Sequence, residues 1–228
     1  MGFIVLEGGA EFGGWMADPD LRALELAGGL QGRLSIIPAA AAADNNHQQA
    51  GENGRRWFKK LGATQAAVLP LIDRVSADNQ ELAEVLGQSR LIYLLGGFPG
   101  YLNQTLVDSL CWRAILAAHQ EGAVIAGSSA GAMVLGEIFY DPASQAFQKG
   151  MGLVSQTCVL PHYTIQKKTR AGKMAEENPD IRFFGIEEET GLINDGPLGQ
   201  WKVYGKGTVT VYHKDFFQCY RTGEIVNR

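Results

Sequence analysis

The 228-residue sequence contains only three cysteines and has no apolar run long enough to cross a membrane. Cys111, Cys158 and Cys219 are an odd number without C-x-x-C spacing, which argues against a disulfide framework or a zinc site and favours a reducing cytoplasm. The N-terminal apolar run, residues 3–6, follows no basic segment and is too short for a signal peptide. We therefore expect an intracellular, cytoplasmic protein.

Basic residues are also few and do not cluster. The sequence has 20 Lys and Arg against 24 Asp and Glu, with a formal net charge of -4. It thus offers no basic patch for nucleic acid or for a membrane surface. The four histidines show none of the H-x-x-x-H or H-E-x-x-H spacings of metal sites. We expect no nucleic-acid or membrane partner, no metal, no cofactor, and a monomer or homodimer.

Hydrophobic residues make up 46% of the chain, which is enough to bury a sizeable core. In the first two thirds, short runs that are apolar on both faces predict buried parallel strands. These runs are residues 3–6, 34–38, 66–71, 91–95 and 123–126, and helical patterns lie between them at 46–61, 78–86 and 101–120. The alternation predicts an α/β fold with a doubly wound, mostly parallel sheet and helices on both faces.

The last third predicts closely spaced strands instead. They are residues 157–160, 183–186, 191–194, 201–204 and 208–212. Glycine-containing turns separate them, and Lys206-Gly207 is a plausible hairpin connection between the last two. We expect an antiparallel C-terminal extension of the sheet. No repeat or linker divides the chain, so we expect one domain over residues 1–228.

The strongest chemical signal is the sequence Gly-Ser-Ser-Ala-Gly at residues 127–131. A predicted buried strand precedes this G-x-S-x-G motif and a helix-like segment follows it, which is the setting of a nucleophile elbow. The motif also arises by chance in glycine-rich chains, and this one has 29 glycines. The strand before it and the helix after it favour the catalytic interpretation, with Ser129 as the nucleophile.

A serine hydroxyl needs a base within hydrogen-bond reach. Three of the four histidines have ordinary explanations: His47 lies in a polar stretch, His119 at a predicted helix end and His213 after a late strand. His162 follows the predicted strand 157–160, and open α/β sheets place functional groups at such strand ends. By elimination, we expect His162 to be the base.

The third member of a triad orients the imidazole and stabilises its charged form. Asp141 lies between the elbow and the histidine in a predicted loop, Glu137 is a second candidate, and the three glutamates at 187–189 form an acidic cluster. The residues alone do not decide among them.

Together these motifs resemble those of the serine peptidase family that contains aspartyl dipeptidase (dipeptidase E) and cyanophycinase. The resemblance runs over most of the chain, and the elbow combined with an upstream Gly-Gly turn is its most specific part. The motifs are LEGGAE at 6–11, LLGG at 94–97, AGSSAGA at 126–132, PHY at 161–163 and GIEEET at 185–190.

This resemblance implies a fold similar to class I glutamine amidotransferases, with catalytic residues at Ser129 and His162. In the dipeptidase branch the acid is an aspartate some twenty residues before the histidine, a placement that Asp141 matches. The resemblance further implies an oxyanion hole formed by the backbone N–H groups of Gly97 and Ala130.

Two departures from the family concern substrate binding. Phe98-Pro99 follows the Gly-Gly pair where the family carries polar residues, so that Phe98 offers an apolar wall and Asn103, a helical turn further on, is a compensating candidate. After the histidine, Lys168 and Arg170 lie where the family uses arginines to hold acidic substrate groups. Arg170 suits a carboxylate better because its guanidinium can bind in a bidentate manner.

The resulting hypothesis is a serine exopeptidase of the dipeptidase E type that hydrolyses small peptides, with Glu188 as a candidate for binding the substrate amino terminus. One alternative is a cyanophycinase-like hydrolase of β-linked Asp-Arg polymer, although this chain has Leu160-Pro161 where that branch has Asp-Gln. The other is a non-catalytic amidotransferase-like binding domain whose site is occluded by Phe98-Pro99.

Overall fold

The computed structural model describes residues 1–214 and 216–226. Within these residues ten strands match the predicted runs, and four more, at residues 138–141, 146–149, 216–221 and 225–226, were not predicted. In chain order the strands are β1 (Ile4–Glu7), β2 (Leu34–Ile37), β3 (Ala66–Val68), β4 (Leu91–Leu94), β5 (Val124–Ser128), β6 (Ile138–Asp141), β7 (Ala146–Lys149), β8 (Thr157–Leu160), β9 (Arg182–Ile186), β10 (Thr190–Ile193), β11 (Trp201–Gly205), β12 (Thr208–His213), β13 (Phe216–Arg221) and β14 (Ile225–Val226).

The α-helices lie mainly between the early strands. They are α1 (Ala17–Leu26), α2 (His47–Lys60), α3 (Arg74–Ala77), α4 (Gln80–Gly87), α5 (Pro99–Leu106), α6 (Leu110–Gln120), α7 (Ala130–Leu135) and α8 (Lys168–Glu177). The single helix expected over 101–120 is in fact two, α5 and α6. Asp108 separates them with a φ of 58°, and the Ser109 side chain caps α6 by accepting a hydrogen bond from the Trp112 N–H.

The main sheet has the strand order β14-β11-β10-β1-β5-β4-β2-β3. The five strands from β1 to β3 in this order run parallel. The β10, β11 and β14 strands extend the sheet with antiparallel pairings. The prediction of a mostly parallel sheet with an antiparallel C-terminal extension is therefore confirmed.

Alternate residues of the central strands face opposite helical layers. On β4, Leu91 and Tyr93 pack in the core that includes residues of α1 and α2, whereas Ile92 and Leu94 pack in the core beneath α4, α5 and α6. Burying each large side chain contributes about 1.5–3 kcal/mol. Helices thus cover both faces of the main sheet, and the carboxyl ends of its parallel strands are where a functional site is expected.

A second sheet, with the order β13-β12-β9-β8, was not expected. The predicted hairpin at Lys206-Gly207 is wrong, because β11 pairs with β10 and β14 in the main sheet while β12 pairs with β9 and β13 in the second. Gly205 turns the chain between the two sheets with a φ of 89°, which favours glycine. Strand patterns in a sequence identify strands but not their partners.

Among the helices that the structure describes, none has both the length and the apolar character needed to traverse a lipid bilayer.

Candidate active site

Ser129 lies in a strained turn between β5 and α7. Its φ is 47° and its ψ is -112°, and its N–H donates to the Glu7 carbonyl at 3.1 Å. Both flanking glycines are required by close backbone contacts. A Cβ on Gly127 would lie 2.5 Å from the Gly131 carbonyl carbon, and one on Gly131 would lie 2.2 Å from the Leu94 oxygen. The turn therefore has the geometry of a nucleophile elbow, with the serine at its apex.

His162 reaches Ser129 from the second sheet. It follows β8, adopts a φ of 48° and donates its backbone N–H to the Gly8 carbonyl at 2.7 Å. A Cβ on Gly9 would lie 2.3 Å from the His162 ring, so the glycine leaves room for the imidazole. His162 Nε2 lies 2.9 Å from Ser129 Oγ. This contact places a base within hydrogen-bond reach of the hydroxyl.

The carboxylate that contacts His162 belongs to Glu188, in the turn between β9 and β10. Its Oε1 lies 3.0 Å from His162 Nδ1. With Nδ1–H donating to this carboxylate, Nε2 is the acceptor for the serine hydroxyl proton. The two side chains are 46% and 61% exposed, so solvent screens their charge interaction. The arrangement is a serine, a histidine and an acid in a continuous hydrogen-bonded chain.

The expectation that Asp141 orients His162 is wrong. Asp141 ends β6, and its carboxylate closes the turn to β7. It accepts hydrogen bonds from the Ala143 and Ser144 N–H groups, from the Ser144 hydroxyl at 2.9 Å and from the Gln148 amide at 2.8 Å. The turn thereby uses both carboxylate oxygens, so Asp141 stabilises the hairpin.

The other candidate acids are also engaged elsewhere. Glu137 accepts from the Gln156 N–H at 2.7 Å, and Glu187 accepts from the Thr208 N–H at 2.8 Å. Glu189 pairs with Lys206 at 3.3 Å. Of the three glutamates at 187–189, only Glu188 turns toward the histidine. Glu188, expected at a substrate amino terminus, thus contacts the histidine through its Oε1.

Two backbone N–H groups border the serine. Gly97 has a φ of 139°, and a Cβ there would lie 2.3 Å from the Ala40 oxygen, so only glycine fits. Ala130 is the first residue of α7, where a backbone N–H has no intrahelical acceptor. These are the two amides that the resemblance assigned to an oxyanion hole.

Two cavities meet at Ser129 and His162. The larger, about 390 Å³, is mainly apolar and includes Met133, Leu160 and Met174 in its lining. The smaller, about 280 Å³, contains the carboxylate of Glu11. A peptide bond placed against Ser129 thus has space on both sides.

Of the side chains expected to bind substrate, Arg170 lines the larger cavity, with its guanidinium 4.6 Å from the centre of the Tyr140 ring. The structure places the other three, Lys168, Asn103 and Phe98, outside the lining of both cavities. Lys168 lies over the Phe217 ring at 3.8 Å, away from both cavities. Asn103 donates to the Lys149 carbonyl of the hairpin. Phe98 is 44% exposed and lines neither cavity, so it does not occlude the site.

A buried acidic pair beneath the elbow escaped the sequence analysis. Glu7 accepts from the Tyr93 hydroxyl and Asp20 accepts from the Trp57 indole N–H at 2.8 Å, and both carboxyls are fully buried. Burial and the neighbouring Asp20 raise the pKa of Glu7 well above its usual value, and burial raises the pKa of Asp20 to about 7. The sequence signal that could have revealed this pair is Glu7, a charged residue at the end of an otherwise apolar strand.

Within the two described ranges, no group of three or more His, Cys, Asp or Glu side chains is arranged to hold a metal ion.

The chain is similar to a known family of hydrolases. The profile of Peptidase family S51 matches residues 4–197. The cyanophycinase of Synechococcus elongatus is 26% identical over 199 residues, which cover 81% of this chain and 60% of that protein. The cyanophycinase of Trichormus variabilis is 27% identical over 202 residues, covering 81% and 64%. The chain thus spans less than two thirds of the length of these relatives.

Two solved structures share the fold. The crystal structure of a peptidase from an acI-B1 actinobacterium matches with a TM-score of 0.87 at 28% identity, covering 100% of this chain and 97% of that one. The structure of a putative peptidase E protein from Listeria monocytogenes EGD-e matches with a TM-score of 0.65 at 20% identity, covering 91% and 100%. At that identity the second likeness shows the fold alone.

Proposed function

Because the chain belongs to peptidase family S51, we propose that it is a serine peptidase whose catalytic triad is Ser129, His162 and Glu188. The observation that supports this proposal is the hydrogen-bonded chain from Ser129 Oγ through His162 to Glu188, with contacts of 2.9 Å and 3.0 Å. Ser129 lies on a strained strand-to-helix turn, and this position supplies the exposed nucleophile that acyl transfer needs.

The mechanism that this geometry supports is acyl transfer in two steps. Ser129 Oγ attacks the peptide carbonyl while His162 Nε2 takes its proton, and Glu188 stabilises the resulting imidazolium. The N–H groups of Gly97 and Ala130 bind the oxyanion of the tetrahedral intermediate. His162 then protonates the leaving amine. Water, deprotonated by His162, hydrolyses the acyl-enzyme and restores the serine.

Small peptides are the substrates that we propose, with the enzyme acting as an exopeptidase of the dipeptidase E type. The two cavities beside Ser129, about 390 and 280 Å³, match a few residues of peptide better than a long chain. The apolar lining of the larger cavity favours a hydrophobic side chain, and Arg170 at its edge favours a nearby carboxylate.

The test is a dipeptide-library assay of the wild type and of Ser129→Ala, together with labelling by a fluorophosphonate. We expect the variant to lose labelling and to lose at least about 10³-fold in kcat/KM, because the remaining groups cannot form the acyl-enzyme. Ser155→Ala is the matched control, since Ser155 is exposed and lines neither cavity. Unchanged turnover in Ser129→Ala would overturn the assignment.

A second candidate is cyanophycin hydrolysis, because the curated relatives at 26–27% identity are cyanophycinases. Leu160-Pro161, which stands where the cyanophycinase branch has Asp-Gln, favours the small-peptide function instead. Release of soluble products from cyanophycin granules, without hydrolysis of any dipeptide in the library, would favour the second candidate.

A further inference from the structure

The smaller of the two cavities at Ser129 has a carboxylate in its wall. Glu11 follows the Gly8-Gly9 turn after β1, and its side chain lines this cavity beside Ser129 and His162. Its Oε1 accepts a hydrogen bond from the Gly96 N–H at 2.7 Å. A Cβ on Gly96 would lie 2.6 Å from this oxygen and 3.2 Å from Ser129 Cβ. The carboxylate is therefore a close neighbour of the nucleophile.

No cation in the described part of the chain pairs with this carboxylate. The ion pairs formed among residues 1–214 and 216–226 do not include Glu11. Burial raises the pKa of Glu11, whereas the Ser128 hydroxyl, the Gly96 N–H and the charge of His162 lower it. Among the described residues, no Lys or Arg thus balances this carboxyl at a place where substrate must come close.

An unpaired negative charge at this position opposes catalysis. Gly96 directly precedes Gly97, whose N–H is proposed to bind the oxyanion, so a Glu11 carboxylate repels the charge that develops on the substrate oxygen. A cation on the substrate removes this repulsion. The α-ammonium of an unblocked peptide is such a cation, and only its Cα separates it from the first peptide carbonyl.

We propose that Glu11 binds the α-ammonium group of the substrate, so that Ser129 attacks the first peptide carbonyl of an unblocked peptide. This inference rests on the proposed function and assigns the recognition of the amino terminus within it. Glu188, which the sequence suggested for this role, contacts His162 through its Oε1. The first side chain of the peptide then faces the larger cavity.

The decisive variant is Glu11→Gln. The glutamine oxygen can still accept the Gly96 hydrogen bond and fills the same space, but it carries no charge. The probes are leucine p-nitroanilide and aspartate p-nitroanilide, chosen for the apolar lining and for Arg170, and the N-acetyl form of each. Fluorophosphonate labelling, which needs no ammonium group, reports whether Ser129 and its turn are intact.

We expect the wild type to prefer the free-amine probes, and Glu11→Gln to lower their kcat/KM by about 10- to 100-fold, as for a lost hydrogen bond to a charged group. The N-acetyl probes should react equally fast or faster with the variant, and labelling should be unchanged. Equal losses for free and acetylated probes, or lost labelling, would show that Glu11 acts only by accepting the Gly96 hydrogen bond and so supporting the local backbone. Either result would overturn the inference. A wild type that neither hydrolyses any probe nor is labelled contradicts the proposed function itself.

Discussion

Ser129 has a φ of 47° and a ψ of -112°, a backbone conformation that costs on the order of 1–3 kcal/mol for a non-glycine residue. The surrounding backbone maintains it, through the hydrogen bond from the Ser129 N–H to Glu7 and the close approach of Gly127 to Gly131. His162 is held in a similar way, with a φ of 48° and its N–H bonded to Gly8. The 2.9 Å contact between the two side chains is therefore set by the backbone before substrate binds.

Glu188→Gln and Asp141→Asn separate the two candidate acids. We expect Glu188→Gln to lower kcat/KM by about 10²- to 10⁴-fold, because the imidazolium loses its carboxylate and its tautomer is no longer fixed. Asp141→Asn should change kcat/KM less than about threefold and should lower the Tm, since the β6–β7 turn loses charged acceptors. The measurements are steady-state kinetics and thermal unfolding of both variants. A larger loss of activity in Asp141→Asn would contradict the proposed triad.

The sequence predicted correctly that Ser129 and His162 lie close together, but it did not single out Glu188 as the carboxylate that contacts His162. Ser129 and His162 stand at strand ends that the apolar pattern reveals, so their proximity follows from the order of strands. Glu188 shares its cluster with two other glutamates, and the turn between β9 and β10 decides which of the three faces His162. Asp141 has a suitable distance along the chain, but its own hairpin turn uses its oxygens.

At the scale of the elements, the elbow depends on contacts between backbones. The Cβ of an alanine at 131 would lie 2.2 Å from the Leu94 oxygen of β4, and neither backbone can move without disturbing the sheet or the helix. In α8, by contrast, a Cβ on Gly172 would meet nothing within 4 Å. The same substitution thus has opposite consequences in two helices.

We predict that Gly131→Ala destabilises the protein by at least about 1–3 kcal/mol, the range for inserting a methyl group into a packed site, and that it lowers Ser129 labelling. Gly172→Ala should stabilise it by roughly 0.5–1 kcal/mol, because alanine loses less conformational freedom in a helix than glycine. Urea unfolding of both variants measures the two free energies. Equal stability of Gly131→Ala and the wild type would contradict the close packing described for the elbow.

Sequence patterns predicted where most strands and helices lie along the chain. They predicted only in part how the strands pair. Runs apolar on both faces located the parallel strands to within a few residues, since a strand covered by helices on both faces needs no polar residue. Whether β11 and β12 pair with each other depends on the path of the chain at Gly205, which carries no periodic signal.

At the scale of the whole molecule, two buried carboxyls lie where the main sheet, α1 and the elbow meet. Glu7 ends β1 and pairs across the sheet with residues of β5 and β10, while Asp20 lies on α1. One oxygen of each carboxyl has no hydrogen-bond partner among the described residues. Burying two such groups is tolerable only if a proton is retained, because two adjacent buried negative charges repel strongly.

This retained proton makes the stability of the protein depend on pH. The unfolded chain releases the Asp20 proton near pH 4, whereas the folded protein keeps it up to about pH 7, so the folded state binds more protons in between. The free energy of unfolding contributed by Asp20 is therefore fully present below about pH 4 and is lost as the pH rises toward 7. A shift of one pKa unit corresponds to about 1.4 kcal/mol, so the loss is on the order of a few kcal/mol.

We predict that Asp20→Asn flattens this dependence, because the amide oxygen can still accept the Trp57 hydrogen bond while no proton is exchanged. The measurement is urea unfolding at pH 5 and pH 8 for the wild type, for Asp20→Asn and for Glu81→Gln, which alters an exposed carboxylate as a control. The wild type and the control should lose stability between the two pH values, and Asp20→Asn should lose on the order of 1–3 kcal/mol less. Parallel losses in all three proteins would show that Asp20 does not retain its proton in the folded state.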